Sequence, residues 1–393
     1  MNMQKPLKCA AAVLSCILVF SSTTVMTTAE TTLDGSESET SVTVTTEAEI
    51  AESSETESEE AEWWKAEITD YDSSLSLISY ELTPESTQTE EDEETEDTEE
   101  SETEAEEEAV VKDPVPVESQ TTGGVVGNVP QAKDEPVINA QSGQFAFTTY
   151  GYGHGVGMSQ NGANFYATYS GWTYQDILFH YYPGTYLMNT GTAETESLTV
   201  GGVSGDTLSM VAGIVYREVG SSMHYEAIKA QAVAVYSYIK YNGNNGSDLR
   251  CKANPPQNVI NACSEVLGQA LYYGDSYALT MFSASSGGVT ANCYDVFTAD
   301  LPYLRSVTSD YDASLDPHYG TVSYYSSSEV KRLVEARYGI TLSDNPANWI
   351  QPVVGDSGYN SYVVIDGQIT VRGYDLKLCL NLKSSKFDVI FAQ

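Results

Sequence analysis

The feature that most restricts how this chain can fold is an acidic stretch from residue 30 to about residue 120. It holds 33 Asp and Glu side chains against Lys65 and Lys112, a net charge of 2 − 33 = −31. Within it, segment 89–108, TEEDEETEDTEESETEAEEE, has almost no apolar side chain to bury. High like charge with so little apolar surface does not offset the entropy that is lost on ordering. We therefore expect a disordered, self-repelling acidic spacer here.

The first 29 residues have the layout of a secretory signal peptide. Lys5 and Lys8 precede an apolar run from Cys9 to Phe20, and small residues follow up to Ala29. The apolar run is shorter than the roughly 20 residues of a full membrane span. This favours cleavage and export to the cell wall or the extracellular space. The alternative is a retained anchor, and only in that case do we expect contact with a membrane.

The remainder of the chain is compatible with one folded domain. Residues 121–393 carry 23 acidic and 14 basic side chains, a net charge of 14 − 23 = −9. A domain of this charge offers phosphates no basic surface, so we expect no nucleic acid partner. The predicted organisation is a signal peptide at 1–29, an acidic disordered spacer at 30–137 and a single domain at 138–393.

Helical and strand patterns are mixed in that domain without a regular βαβ repeat, which predicts the α+β class. Alternation predicts a strand at 144–150, and Asp366-Gly367 predicts a hairpin turn. Helical periodicity and end signals predict helices after Thr173 and over 208–220, 224–241, 258–270 and 327–339.

The cysteines allow several arrangements. Cys251, Cys263, Cys293 and Cys379 lie outside the signal segment, and export permits disulfides among them in three pairings. We expect one bridge, Cys251 to Cys293, with Cys263 and Cys379 as buried thiols. No C-x-x-C spacing occurs and the chain has only four histidines, so we expect no metal site and no cofactor.

Two segments carry candidate chemistry. Residues 151–163, GYGHGVGMSQNGA, contain five glycines and do not suit a packed helix or a central strand. Glu218 ends an otherwise apolar helix, where desolvation would raise its pKa and let a neutral carboxylic acid protonate a glycosidic oxygen. By pattern alone, however, the sequence favours a surface glutamate near a helix end, paired with Arg217.

Four segments together resemble the family of the sporulation protein SpoIID and the amidase enhancer LytB. These segments are GYGHGVGMSQNGANFYATYSGWTYQDILFHYYPGTYL (151–187), VAGIVYREVGSSMHYEAIKAQAVAV (211–235), MFSASSGGVTANCYDVF (281–297) and LPYLRSV (301–307). The resemblance covers about residues 144–393, and its glycine and KAQA blocks are long and of unusual composition.

The resemblance implies a lytic transglycosylase that cleaves the peptidoglycan glycan backbone. It implies Glu218 as the single acid and base, without a metal or other cofactor, and peptidoglycan glycan strands as the partner. It also implies substrate-binding roles for His154, Ser159, Gln160, Ser285, Ser286, Tyr303 and Arg305.

The chain departs from the family pattern at two places. Tyr236 stands where the family often has an arginine, and Val219-Gly220 replace Met-Pro after the glutamate. These departures keep a second interpretation open, a non-catalytic wall-binding module that enhances a partner amidase.

The order of the segments also differs from that of the family. The glycine segment comes first here, whereas in the family it follows a segment like GYDLKLCLNLKSSKF, which closes this chain at 373–387. A circular permutation within one domain is tolerable if the ordinary termini lie close together. It predicts that the strand at Phe387–Phe391 lies beside the strand at Phe145–Phe147.

Overall fold

The computed structural model describes residues 113–393. The predicted signal peptide and most of the predicted acidic spacer lie outside the described residues. Within 113–393, no helix combines the length and the apolar character that crossing a bilayer requires.

Helices and short strands are mixed throughout, as the α+β prediction requires. The helices are α1 (Gln160–Ser170), α2 (Tyr174–Tyr181), α3 (Thr207–Val219), α4 (Tyr225–Tyr241), α5 (Gln257–Glu265), α6 (Cys293–Val296), α7 (Asp312–Leu315), α8 (Ser327–Tyr338) and α9 (Gly373–Cys379). The strands are β1 (Val115–Pro116), β2 (Gln144–Thr149), β3 (Met158–Ser159), β4 (Tyr186–Asn189), β5 (Ser197–Val200), β6 (Val203–Asp206), β7 (Asn245–Gly246), β8 (Gln269–Tyr273), β9 (Ser276–Tyr277), β10 (Phe282–Ser283), β11 (Thr321–Ser326), β12 (Ile350–Val354), β13 (Asn360–Ile365), β14 (Ile369–Arg372) and β15 (Phe387–Phe391).

Local sequence signals account for most helix and turn boundaries. Thr173 forms a complete capping box with Asp176 at the start of α2. Gly171 ends α1 in the left-handed conformation, and Asp366 and Gly367 both have positive φ in the β13–β14 turn. The helix expected over 258–270 ends earlier, at Glu265, because the residues from Gln269 pair with β4 instead.

Two hydrophobic cores lie in the described chain. The larger one is built around α4, against which α1, α2, α3, α5 and β8 pack. The smaller one joins the sheet β11-β2-β15 to the sheet β12-β13-β14 and to α8 and α9.

The strand pair expected from the permutation is present. β15 runs antiparallel to β2, with Phe387 opposite Thr149 and Phe391 opposite Phe145. The amide of Ala392 donates to the carbonyl of Gln144 at 2.9 Å. The C-terminal strand therefore adjoins the strand that leads into the glycine segment.

Residues 113–137, assigned above to the spacer, lie against the domain. β1 pairs with β4, the Thr122 amide donates to the Asp176 carboxylate at 2.9 Å, and the Trp172 indole donates to the Val125 carbonyl at 2.8 Å. Residues before 138 therefore pack on the domain, because the Asp176 carboxylate and the Trp172 indole form hydrogen bonds with their backbone.

The expected disulfide between Cys251 and Cys293 is absent, and that prediction was wrong. All four cysteines of the described chain are free. Cys251 is exposed, with its sulfur 3.6 Å from the Met210 carbonyl, whereas Cys293 is buried at the start of α6. The two thiols lie in different environments, which spacing along the chain does not reveal.

Candidate functional site

Glu218 lies one residue before the end of α3. The preceding turns of this helix bury Val211, Ile214 and Val215, so the carboxyl leaves the helix next to apolar packing. The side chain is partly buried, and its Oε2 atom is inaccessible and has no hydrogen-bond partner within residues 113–393. A buried carboxyl oxygen without a partner is uncommon in a folded protein, which makes Glu218 a candidate functional residue.

One glutamine from another helix lies beside this carboxyl, and a second glutamine lies beside the first. The Gln160 side chain, at the first position of α1, lies close enough to Glu218 to lower the pKa of its carboxyl. The Gln160 amide nitrogen also lies 3.5 Å from Gln231 Oε1 on α4. Gln231 is buried, and its Nε2 has no partner among the described residues. The structure thus brings Glu218, Gln160 and Gln231 together from three helices.

This environment changes the acidity of Glu218. Desolvation by burial raises the pKa of Glu218 to about 7, while the Gln160 hydrogen bond and the Arg217 charge lower it. Desolvation wins because the Arg217 side chain is exposed to solvent and is therefore screened. The carboxyl therefore exists in protonated and ionised forms near neutral pH, which suits a group that both gives and takes a proton.

The glycine segment packs closely against the serine loop at 281–288. A Cβ atom on Gly151 would lie 2.8 Å from the Gly287 nitrogen and from the Ser285 carbonyl oxygen. A Cβ on Gly155 would overlap the Tyr359 hydroxyl, and one on Gly157 the Met281 carbonyl. These glycines allow close contact within the protein, with backbone atoms at Gly151 and Gly157 and with the Tyr359 side chain at Gly155.

His154 is neutral and bonded to the backbone on both sides of its ring. Its Nδ1 accepts from the Val156 amide at 3.0 Å, and its other nitrogen bonds to the Phe282 carbonyl. Burial, with the charge of Lys377, lowers the pKa of His154 to about 4. Its contacts therefore join the glycine segment to β10.

The three predicted serines are buried with an aspartate that the sequence did not single out. Asp312 Oδ2 accepts from Ser159 Oγ at 2.8 Å and from Ser286 Oγ at 2.7 Å. The Ser285 hydroxyl lies beside a second buried carboxyl, Asp316. Burial, with the Asp312 charge, raises the pKa of Asp316 to about 7.

Sequence reasoning missed Gln231, Asp312 and Asp316, and only Gln231 had a usable sequence signal. Gln231 is a lone amide on the alanine-rich face of a predicted helix, and such a polar residue in an apolar face was a usable signal. Asp312 and Asp316 lie in the short turn SDYDASLDP, where acidic residues ordinarily indicate an exposed loop.

Tyr303 and Arg305 have partners outside the Glu218 cluster. The Tyr303 hydroxyl accepts from the Leu279 amide at 2.9 Å, and its ring lies 5.0 Å from the Tyr273 ring. Arg305 is exposed and forms an ion pair with Asp300 at 2.6 Å. Within residues 113–393, neither residue forms a hydrogen bond or an ion pair with Glu218, Gln160 or Gln231.

Tyr236, which stands in place of the family arginine, belongs to a separate polar cluster. Its hydroxyl donates to Glu196, whose other carboxylate oxygen accepts from Lys240. Five residues of helix separate Tyr236 from Gln231, which is about 140° around α4. Tyr236 therefore faces the loop before β5, away from the glutamine cluster.

Among the described side chains, no group of three or more His, Cys, Asp or Glu residues is arranged to hold a metal ion.

The fold and this cluster define an α+β domain with a desolvated carboxyl at the meeting point of three helices. Residues 206–290 match the family model described as SpoIID, Stage II sporulation protein. A curated relative, stage II sporulation protein D of Bacillus subtilis (strain 168), is 60% identical over 132 residues, 33% of this chain and 36% of that protein. The match spans about a third of the length of this relative.

Over residues 206–290 the chain is therefore similar to the SpoIID family. The matched residues include Glu218, Gln231, Ser285 and Ser286, and they end before Tyr303 and Arg305. The glycine segment lies N-terminal to the matched residues.

Proposed function

We propose that this protein is an exported enzyme that cleaves the glycan backbone of peptidoglycan by lytic transglycosylation, with Glu218 as acid and base. The observation that carries the proposal is the desolvated carboxyl of Glu218, with its unpartnered Oε2 and a pKa raised by burial to about 7. The match of residues 206–290 to the model of a stage II sporulation protein supports the family resemblance on which this proposal rests.

One carboxyl is sufficient for both proton transfers of this reaction. Neutral Glu218 protonates the oxygen that leaves the muramic acid anomeric carbon, and becomes a carboxylate. The 6-hydroxyl of the same sugar then attacks that carbon and returns its proton to Glu218. No water and no second carboxylate nucleophile enter, in contrast to the two-carboxylate glycosidases.

The two glutamines have separate parts in this proposal. The Gln160 amide stabilises the carboxylate formed after the first proton transfer, because its hydrogen bond favours the charged form. The buried Nε2 of Gln231 lacks a partner within the described chain and is suited to donate to a sugar hydroxyl.

The predicted signal peptide and acidic spacer belong to the same proposal. Export places the domain at the cell wall, and a self-repelling acidic tether gives it reach while it stays attached or nearby. Peptidoglycan glycan strands are the proposed partner.

The test uses the full chain and glycan strands freed of stem peptides. We expect the wild type to produce 1,6-anhydromuramic ends, detected by mass spectrometry, and Glu218→Gln to produce none. Glu265→Gln, the same change at an exposed glutamate, is the matched control and should keep full activity.

Two results would contradict this assignment. Product from Glu218→Gln would exclude Glu218 as the acid. No product from a folded wild type that still sediments with the strands would favour the wall-binding module that enhances an amidase. The departure from the family pattern at Val219-Gly220, directly after Glu218, is the observation that keeps this second function in view.

A further inference from the structure

Asp312 joins two segments that meet at the candidate site. It lies at the start of α7 and is fully buried. Its Oδ2 accepts three hydrogen bonds, from Ser159 Oγ at 2.8 Å, the Ser286 amide at 2.9 Å and Ser286 Oγ at 2.7 Å. One carboxylate oxygen thus holds the end of the glycine segment and the serine loop together.

Ser159 connects this carboxylate to the site around Glu218. It is the N-cap of α1, and its Oγ accepts from the Gly162 amide at 3.0 Å while it donates to Asp312. The next residue is Gln160, whose side chain reaches Glu218 and Gln231. Asp312 therefore fixes the hydroxyl that sets where α1 begins, one residue before the amide that contacts the acid.

We propose that Asp312 is a positioning residue for Glu218, acting through Ser159 to hold the Gln160 amide on the carboxyl. This inference rests on the proposed function for its kinetic consequence, but its structural consequence can be measured without activity. Within the described chain, the hydrogen bonds of the Asp312 carboxylate go to Ser159 and Ser286 and not to Glu218, and we assign Asp312 no proton transfer.

The charged groups around both carboxyls determine the sign of the expected effect. Glu218 faces Arg217 and Asp248. Asp312 faces the carboxyl of Asp316, the ammonium of Lys386 and the hydroxyls of Tyr181 and Tyr359. Loss of the Asp312 charge alone would lower the pKa of Glu218, since a distant negative charge disfavours a second one. Loss of the Gln160 hydrogen bond raises the pKa of Glu218 instead, so the two causes have opposite signs.

The experiment follows the Glu218 carboxyl by carbon-13 NMR in the full chain, with carboxyl-labelled glutamate and Glu218→Gln to assign the resonance. The variants are Ser159→Ala, Asp312→Ala, Asp312→Asn and Gln160→Ala. The matched control is Thr173→Ala, which removes the side-chain cap of the adjacent helix α2. Initial rates on peptide-free glycan strands give kcat and KM for the same variants.

We expect Ser159→Ala and Asp312→Ala to raise the pKa of Glu218, as Gln160→Ala does. Their kcat should fall roughly ten- to a hundredfold with little change in KM, as for a displaced catalytic contact. Asp312→Asn keeps a carbonyl acceptor for both serines and should retain a Glu218 pKa closer to that of the wild type. Thr173→Ala should leave the pKa of Glu218 and kcat unchanged.

An unchanged or lowered pKa of Glu218 in Ser159→Ala would overturn the proposal, as would an equal rise in Thr173→Ala. If Asp312→Ala does not fold, Ser159→Ala and Asp312→Asn decide the matter. If the wild type makes no product, the proposed function fails, and the NMR titration still decides the positioning role.

Discussion

Gly157 crosses the backbone of the serine loop directly over Met281, and a Cβ at this glycine would overlap the Met281 carbonyl oxygen. The same oxygen accepts from the amide of Met158 at 3.0 Å. This contact sets the parallel pair of β3 and β10, and with it the start of α1. The glycine segment is thus a close-packing element that places Gln160.

Gly157→Ala should therefore destabilise the domain more than its backbone conformation alone predicts. Gly157 has a φ of 75° and Gly143 has a φ of 81°, but nothing lies within 4 Å of a Cβ on Gly143. We expect Gly143→Ala to lower the free energy of unfolding by about 1–2 kcal/mol and Gly157→Ala by about 3 kcal/mol or more, since overpacking adds to the cost. Urea unfolding measures the free energy of unfolding of both variants. Equal losses in the two variants would show that the overlap with the Met281 carbonyl is relieved at no cost.

Glu218→Gln should stabilise the protein at alkaline pH. The pKa of Glu218 is raised by burial to about 7, so the folded state holds a proton that the unfolded state releases near pH 4.5. The stability from this proton is fully present below pH 4.5 and is lost as the pH rises through about 7.

At pH 8 we expect Glu218→Gln to exceed the wild type by up to about 3 kcal/mol, with little difference at pH 5. Thermal unfolding at the two pH values measures this difference. Glu265→Gln serves as the control, because that side chain is exposed. If Glu218→Gln gains the same stability at both pH values, ionisation of the Glu218 carboxyl does not destabilise the folded protein, and the prediction is wrong.

Tyr236→Phe should weaken the cluster around Glu196. The Tyr236 hydroxyl donates to the Glu196 carboxylate and lies 2.9 Å from Thr190 Oγ. Its removal leaves a buried acceptor with one donor fewer, which costs about 1–3 kcal/mol. Tyr294→Phe, at an exposed tyrosine, should change the free energy of unfolding by less than about 0.5 kcal/mol.

This effect should depend on pH in the opposite direction from that of Glu218. Burial raises the pKa of Glu196, but the hydrogen bonds of Lys240 and Tyr236 outweigh burial and leave the pKa below its usual value. The stabilisation is present above pH 4.5 and is lost as the pH falls through the lowered pKa. A Tyr236→Phe loss that is as large at pH 3 as at pH 7 would contradict this account.

The two ends of the domain should tolerate being joined. The Gly143 amide donates to the Ala392 carbonyl at 2.7 Å, and the Ala392 amide donates to the Gln144 carbonyl at 2.9 Å. A two-residue Asn-Gly turn suits such an antiparallel pair. We expect a chain of residues 191–393, Asn-Gly and residues 143–190 to fold cooperatively.

The control for this rearrangement is residues 143–393 in their natural order, which lacks the same N-terminal segment. Circular dichroism melts of the two chains should agree within about 10 °C, since only one loop is opened and one closed. A natural-order chain that folds while the rearranged chain does not would contradict the closeness of the two ends.

Local structure was largely predictable from the sequence, because its causes lie within a few residues. Thr173 and Asp176 form their capping box with each other, and Asp366-Gly367 supplies the positive φ values of a hairpin turn. Burial of the Glu218 carboxyl did not follow from its own helix, because a glutamate near a helix end is ordinarily a surface residue.

The tertiary structure alone decided which side chains share one environment. Asp312 lies in a loop that resembles a solvated turn, yet it is buried because Ser159 and Ser286 supply its hydrogen bonds from 153 and 26 residues away. Cys251 and Cys293 are free because packing places them in different environments. Hydrophobic periodicity predicts which face of one helix or strand is buried. Contacts between elements distant in sequence depend on the packing of the whole core, and that packing brings Gln160 and Gln231 to the same cluster as Glu218.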